Sequence, residues 1–136
     1  MIKDDCIFCK LANGVIPTNT VYEDDDFRVI MDAAPVTKGH SLILPKQHFD
    51  NLEQIDDETS SKLFPLAKKM YSLLKEKLGC EGFNVIQNNE AVAGQTVFHL
   101  HVHLVPRYSD DGQKLDFVPG KISEEQIEEV KKILIK

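Results

Sequence analysis

Gly94-Gln95-Thr96-Val97-Phe98-His99-Leu100-His101-Val102-His103-Leu104-Val105-Pro106-Arg107 is the stretch on which the reading of this chain turns. His99, His101 and His103 alternate with Leu100, Val102 and Leu104. Residues i, i+2 and i+4 of a strand share one face, so the pattern predicts three imidazoles on one side and aliphatic side chains facing a core on the other. The chain has five histidines, and three of them occupy alternate positions of this one run. At a rise of ~3.3 Å per residue the outer pair would stand about 13 Å apart at Cα. Side chains so spread do not converge on one ion; they line an extended polar ligand. Neutral imidazole, with an ordinary pKa of ~6.5, is a nucleophile suited to phosphorus near neutral pH. Ala93-Gly94-Gln95-Thr96, just upstream, offer backbone amides, a side-chain amide and a hydroxyl, all donors suited to phosphate oxygens.

Outward from this stretch the pattern is that of a mixed domain. Phe83-Asn84-Val85-Ile86-Gln87 and Val97 through Pro106 read as strands, as do 20–23 and 27–31 around the acidic turn Glu23-Asp24-Asp25-Asp26. Gly39-His40 leads into a short apolar strand, Ser41-Leu42-Ile43-Leu44, closed by Pro45. Leu63, Leu66, Ala67, Met70, Leu73, Leu74 and Leu78 recur at helical spacing opposite Lys62, Lys68, Lys69, Lys75 and Glu76, which predicts a long helix over 57–78. Pro65 should kink that helix or sit near its start, and Gly79 should end it. Residues 6–13 suit a short helix, and Ser123 before Glu124-Glu125-Gln126 caps a C-terminal helix over 123–135. The expected architecture is α+β: one domain over 1–136, with a mainly antiparallel sheet, one long helix and a C-terminal helix.

Charge and cysteines bound the chemistry further. With 16 Lys+Arg against 22 Asp+Glu, the net charge of -6 argues against broad binding to nucleic acid or an anionic membrane, while leaving room for a small phosphorylated ligand in a local site. No stretch approaches the ~18 apolar residues of a membrane span, and Met1 through Cys6 lack a signal-peptide pattern, so a cytoplasmic location is expected. There Cys6 and Cys9 are not expected to form a structural disulfide, and Cys80 reads as a small buried residue. Cys6-Ile7-Phe8-Cys9 is a C-x-x-C pair, which suggests metal or redox chemistry. Redox motifs of this kind follow a strand, and none precedes Cys6. Zinc requires two further N or S ligands, drawn from His40, His48 and the three alternating histidines.

Residues 94–107 resemble the signature of the histidine triad (HIT) superfamily. Phe8, Ile16-Pro17, Tyr22-Glu23-Asp24, the Asp32 segment, Gly39-His40 and Leu44-Pro45-Lys46-Gln47-His48 look like landmarks of the same family in the same order, so the likeness spans about residues 6–108. It implies a HIT-like fold, a homodimer, and an enzyme whose middle histidine, His101, attacks the α-phosphorus of a nucleoside 5′-phosphoramidate or polyphosphate. A nucleotidyl-histidine forms, and water then releases the nucleoside monophosphate. His103 matches the position that contacts phosphate. Gln95 and Thr96 match an amide and a hydroxyl on the phosphate or leaving group, with Thr96 standing where many relatives carry serine. Asn88 matches a polar residue near phosphate and ribose, Asp32 the acid that takes the ribose hydroxyls, and Phe8, Leu11 and Ile16 the apolar clamp on a purine base.

The resemblance also completes a metal site. Bacterial relatives pair such cysteines with a downstream histidine and the first histidine of the signature, which names Cys6, Cys9, His48 and His99 as ligands of a closed, structural zinc, with no catalytic cofactor expected. His40 would stand behind the active strand, and Arg107 would be solvated or reach a polyphosphate tail. The leading expectation is a phosphoramidase-type hydrolase with purine nucleotides as partners. The alternatives are a dinucleoside polyphosphate hydrolase, a nucleotide-binding module with little turnover, and a metallohydrolase that uses the triad as ligands.

Overall fold

The computed structural model describes residues 1–135. Five antiparallel strands, β1 (Thr20–Glu23), β2 (Phe27–Met31), β3 (Ser41–Pro45), β4 (Gly82–Ile86) and β5 (Val102–Arg107), form one sheet in the order β1-β2-β3-β5-β4. The helices are α1 (Ile7–Ala12), α2 (Asp57–Ser60), α3 (Leu63–Leu78) and α4 (Glu124–Leu134). The sheet is covered on two sides. Phe27, Val29, Ile43, Leu100, Val102 and Leu104 bury one face against Leu63, Leu66, Ala67 and Met70, on the inner side of α3. Ile30, Leu42 and Leu44 bury the other face under Ala12 of α1, with Phe8 and Leu11 packed alongside. That is why all five residues of β3, Ser41 through Pro45, are buried: a strand covered on both faces has no solvent side.

Two elements depart from the sequence reading. The helix expected over 57–78 is broken: α2 stops at Ser60 and α3 begins at Leu63. Pro65 then sits in the first turn of α3, where its missing N–H leaves no hydrogen bond unmade. The strand expected over 97–106 pairs only from Val102 onward, opposite Ile43. Toward its start, β3 ends at Pro45, which has no N–H to donate, and the Pro45 carbonyl accepts from the His99 ring at 2.8 Å. Leu100 turns instead to the Phe49 carbonyl, at 2.7 Å. The side-chain alternation continues through 99–104 even though the ladder does not, since Leu100, Val102 and Leu104 all enter the core. α4 forms within its expected bounds, with Ser123 and Gln126 making the capping box. Among the described residues no helix is long and apolar enough to cross a membrane.

Candidate functional site

Cys6 is the N-cap of α1, its Sγ accepting from the Cys9 amide at 3.2 Å. That short helix presents both thiols to the same point. His99 Nδ1 lies 3.4 Å from each sulfur, and His48 Nδ1 lies 3.4 Å from that of Cys9. The four ligand atoms fall within 4.8 Å of one another. Tetrahedral zinc, with bonds of about 2.0–2.3 Å, sets its ligand atoms roughly 3.3–3.8 Å apart, so the cluster has the right chemistry and nearly the right size. The outer nitrogens complete the fit: His99 Nε2 donates to the Pro45 carbonyl at 2.8 Å and His48 Nε2 to Asp50 at 2.7 Å. Each ring thereby carries its proton on Nε2 and aims the Nδ1 lone pair at the thiols, the arrangement typical of metal-bound histidine. Cys6, Cys9, His48 and His99 could hold a metal ion. Burial pushes the His99 pKa down to about 4, so the ring stays a neutral donor.

His101 is 8% exposed and donates from Nδ1 to the His99 carbonyl at 2.8 Å. Its Nε2 therefore keeps a lone pair, and that atom has no hydrogen-bond partner among the described residues. Burial holds the His101 pKa below its ordinary value, which favours the neutral form. The Phe8 ring meets the His101 ring edge-on at 4.9 Å and the His99 ring at 6.1 Å.

The third histidine is set from behind. Gly39, at φ +94°, brings the chain so close to α3 that a Cβ there would meet Leu78 Cδ1 at 2.6 Å, and this turn delivers His40 to the interior. The Val36 amide donates to His40 Nδ1 at 3.1 Å, which leaves the His40 proton on Nε2, 3.0 Å from His103 Nδ1. His103 consequently carries its own proton on Nε2, a donor. Burial and the neighbouring rings of His101 and His40 push the His103 pKa down to about 4. Asp32 lies 3.4 Å from His40 Nε2 and accepts the Ala34 amide at 2.8 Å. Asp32, His40 and His103 are also close enough to share an ion. The Val36 amide argues against that, because it leaves His40 Nε2 protonated and without a lone pair.

The remaining predicted residues divide. Phe8 joins the histidines, while Leu11 packs beside it on the Ile30, Leu42 and Leu44 face. Ile16 is half-buried just beyond α1, its amide near the Lys10 carbonyl. Asn88 lies against Gly94, where a Cβ would come within 3.4 Å of its Nδ2. Thr96 is exposed. Gln95 is turned inward: its Oε1 accepts from the Glu90 amide at 2.8 Å, and its Nε2 donates to the carbonyls of Asp50 at 2.7 Å and Val97 at 3.1 Å. Both amide hydrogens are spent, so Gln95 holds the loop in this structure and offers no free amide donor to a phosphate. The same network ties Asn51 to Glu90 at 2.9 Å, with Glu90 at φ +74°. Nothing in the sequence marked that contact. Asp50, which orients His48, was also missed, although its position two residues on from a candidate ligand was a signal. Arg107 is partly exposed but not free: it bonds Asp111 at 2.8 Å, Asn84 at 2.9 Å and the Gln113 carbonyl at 2.7 Å.

Residues 13–110 match the family model described as the HIT domain. An uncharacterised HIT-like protein of Methanocaldococcus jannaschii is 41% identical over 127 residues, covering 93% of this chain and 96% of that one. An adenosine 5′-monophosphoramidase of Schizosaccharomyces pombe is 36% identical over 123 residues, 90% of each chain. Among solved structures, a Streptococcus mutans protein superposes with a TM-score of 0.91 at 38% identity, covering 98% of this chain and 85% of that one. A zinc-bound histidine triad family protein from Mycobacterium smegmatis does so at 0.75 and 32% identity, covering 97% and 98%.

Proposed function

The chain belongs to the HIT domain family, and from that premise we propose that it is a hydrolase that cleaves nucleoside 5′-phosphoramidates, purine nucleotides preferred, through a nucleotidyl-histidine on His101. The observation that carries the reading is the His101 hydrogen bond to the His99 carbonyl, which commits the Nδ1 proton and leaves the Nε2 lone pair without a partner among the described residues. That lone pair attacks the α-phosphorus. The P–N bond breaks, and the leaving amine takes the bonding electron pair and a proton from solvent, which the attacking water of the second step returns. Positive charge left on the phosphorylated ring is stabilised at Nδ1–H by the carbonyl dipole. Water then attacks the same phosphorus, releasing the nucleoside monophosphate and restoring neutral His101.

Other residues bind and orient. His103 Nε2–H donates to a non-bridging oxygen, with the Thr96 hydroxyl and the Asn88 amide as further donors. Asp32 takes the ribose hydroxyls, and Phe8, Leu11 and Ile16 flank the base. Gln95 serves this site by holding the loop that carries Thr96. Zinc on Cys6, Cys9, His48 and His99 would brace α1 against β3 and the 97–101 segment, and it would leave no open coordination position for catalysis. The protein would act in the cytoplasm, where its three thiols stay reduced, and as a pair of identical chains.

The S. pombe relative, named for phosphoramidase activity, supports this reading over a dinucleoside polyphosphate hydrolase. So does Arg107, whose guanidinium is committed to Asp111, Asn84 and the Gln113 carbonyl rather than held free for a polyphosphate tail. Steady-state kinetics on an AMP phosphoramidate and a diadenosine polyphosphate should favour the first by tenfold or more in kcat/KM; the reverse order would overturn the substrate class. His101→Ala should lose at least a thousandfold in kcat and still bind AMP by calorimetry, which also separates an enzyme from a binding module. Turnover surviving that change would remove His101 as nucleophile.

A further inference from the structure

Glu90 stands in a backbone conformation that belongs to glycine. At φ +74° and ψ 154° any side chain is crowded by the backbone, and among the described residues Glu90 is the one residue other than glycine with a positive φ. A side chain stays in such a place only where its surroundings over-determine it. Three groups of Glu90 are held. Its amide donates to Gln95 Oε1 at 2.8 Å, and its carbonyl accepts the Ala93 and Gln95 amides at 3.0 and 3.1 Å. Its carboxylate accepts from Asn51 Nδ2 at 2.9 Å. Glycine would make the backbone contacts without strain. The carboxylate contact with Asn51 is what glycine could not supply.

Asn51 is a fixed anchor. It is buried, its Oδ1 accepts the Glu53 amide at 3.0 Å, and its carbonyl accepts the Gln54 amide at 3.2 Å. The residues on either side repeat the attachment. Gln95 Nε2 donates to the Asp50 carbonyl at 2.7 Å, and the Leu52 amide donates to Asn89 Oδ1 at 2.8 Å. Among the described residues, 50–52 make every hydrogen bond that ties 89–95 to anything outside 87–97. Between those ties Ala91, Val92, Ala93 and Gly94 are all exposed. This loop separates Asn88 from Thr96, the two donors assigned above to the phosphate. Where the loop is pinned therefore sets how those donors stand relative to each other.

We propose that Glu90 is a positioning residue for the substrate phosphate: its carboxylate, held by Asn51, fixes the loop so that Asn88 and Thr96 converge on the phosphate of a nucleotide. The proposal rests on the reading of those two residues as phosphate donors. A nucleoside, which has no phosphate, is then indifferent to Glu90. The test uses the full chain, with calorimetry of AMP and adenosine binding, deuterium exchange of the 91–97 amides without ligand, and thermal melting. Glu90→Gly relaxes the backbone and removes the carboxylate. It should melt no lower than the intact chain yet bind AMP at least fivefold more weakly, with adenosine changed less than twofold. Asn51→Asp sets a like charge against Glu90 and should weaken AMP binding in the same way. Adding Glu90→Gln to that variant should recover the affinity, because the new amide can donate to the new carboxylate. In both weakened variants the loop amides should exchange at least tenfold faster. Unchanged AMP binding or unchanged exchange in Glu90→Gly, an equal loss for adenosine, or no recovery in the paired variant overturns the proposal. Failure of the phosphate reading looks different: there the intact chain itself binds AMP no more tightly than adenosine, which overturns both.

Discussion

His101 and its two neighbours are the same amino acid, yet each has a different job because each has a different partner for one ring nitrogen. His99 donates to Pro45 and turns a lone pair to the thiols; His101 donates to the His99 carbonyl and keeps a lone pair free; His103 accepts from His40 and keeps a donor free. The alternation that brings the rings together was readable from residues 99–104, but which nitrogen holds each proton was not. For His99 and His103 it depends on Pro45, Val36 and His40, which lie more than fifty residues upstream, and for His101 on the carbonyl two residues before it. The burial that fixes these states has a consequence for stability. Folded His103 titrates near 4 against ~6.5 when unfolded, so it contributes stability that is fully present above pH 6.5 and is lost as the pH falls from 6.5 toward 4. Chemical denaturation at pH 7.5 and 5 should show the acid sample to be less stable, and His103→Asn should flatten that difference by about 1–2 kcal/mol. An unchanged pH slope in the variant would show that His103 is not kept neutral by the fold.

At the level of elements, the short helix α1 does the most. With its N-cap, Cys6, it presents two thiols to one point and places Phe8 against His101. Its formation was legible in Ile7, Phe8 and Leu11, but its attachment was not, because the contacts that hold it come from His48 and His99. The prediction at this scale concerns metal. Protein purified under reducing conditions should carry about one zinc per chain, and Cys9→Ser should lose it together with several degrees of melting temperature. Since Phe8 rides on the same helix, AMP affinity should fall with the metal while residual kcat falls less. Removal of zinc that abolished turnover with the melting temperature unchanged would favour a catalytic metal instead. The helix break between Ser60 and Leu63 shows the opposite balance: the periodicity over 57–78 was correct for the buried face of α3, and only the proline geometry decided where the helix could start.

Across the whole molecule, the sheet joins the two halves of the site by having both faces covered, with α3 beneath and α1 above. Leu104 is fully buried on the α3 side of β5, the strand that carries His103. Leu104→Ala should cost about 2–5 kcal/mol of unfolding free energy in urea, with near-normal kcat in the fraction that remains folded. A cost below 1 kcal/mol would mean that α3 does not hold that strand in place. The sequence alone determined what is local: four of the five strands to within a residue or two, the outer helices, the capping box of α4 and the chemical types gathered along 94–107. These depend on periodicity and backbone preference over a few neighbouring residues. Only the tertiary structure decided that Cys6 would meet His99 across 93 positions, that Gln95 would spend its amide inward, that Arg107 would be tied down, and that strand pairing would begin at Val102. Each of those outcomes is settled by which distant donor or acceptor the fold brings within hydrogen-bond reach, and no local pattern encodes that distance.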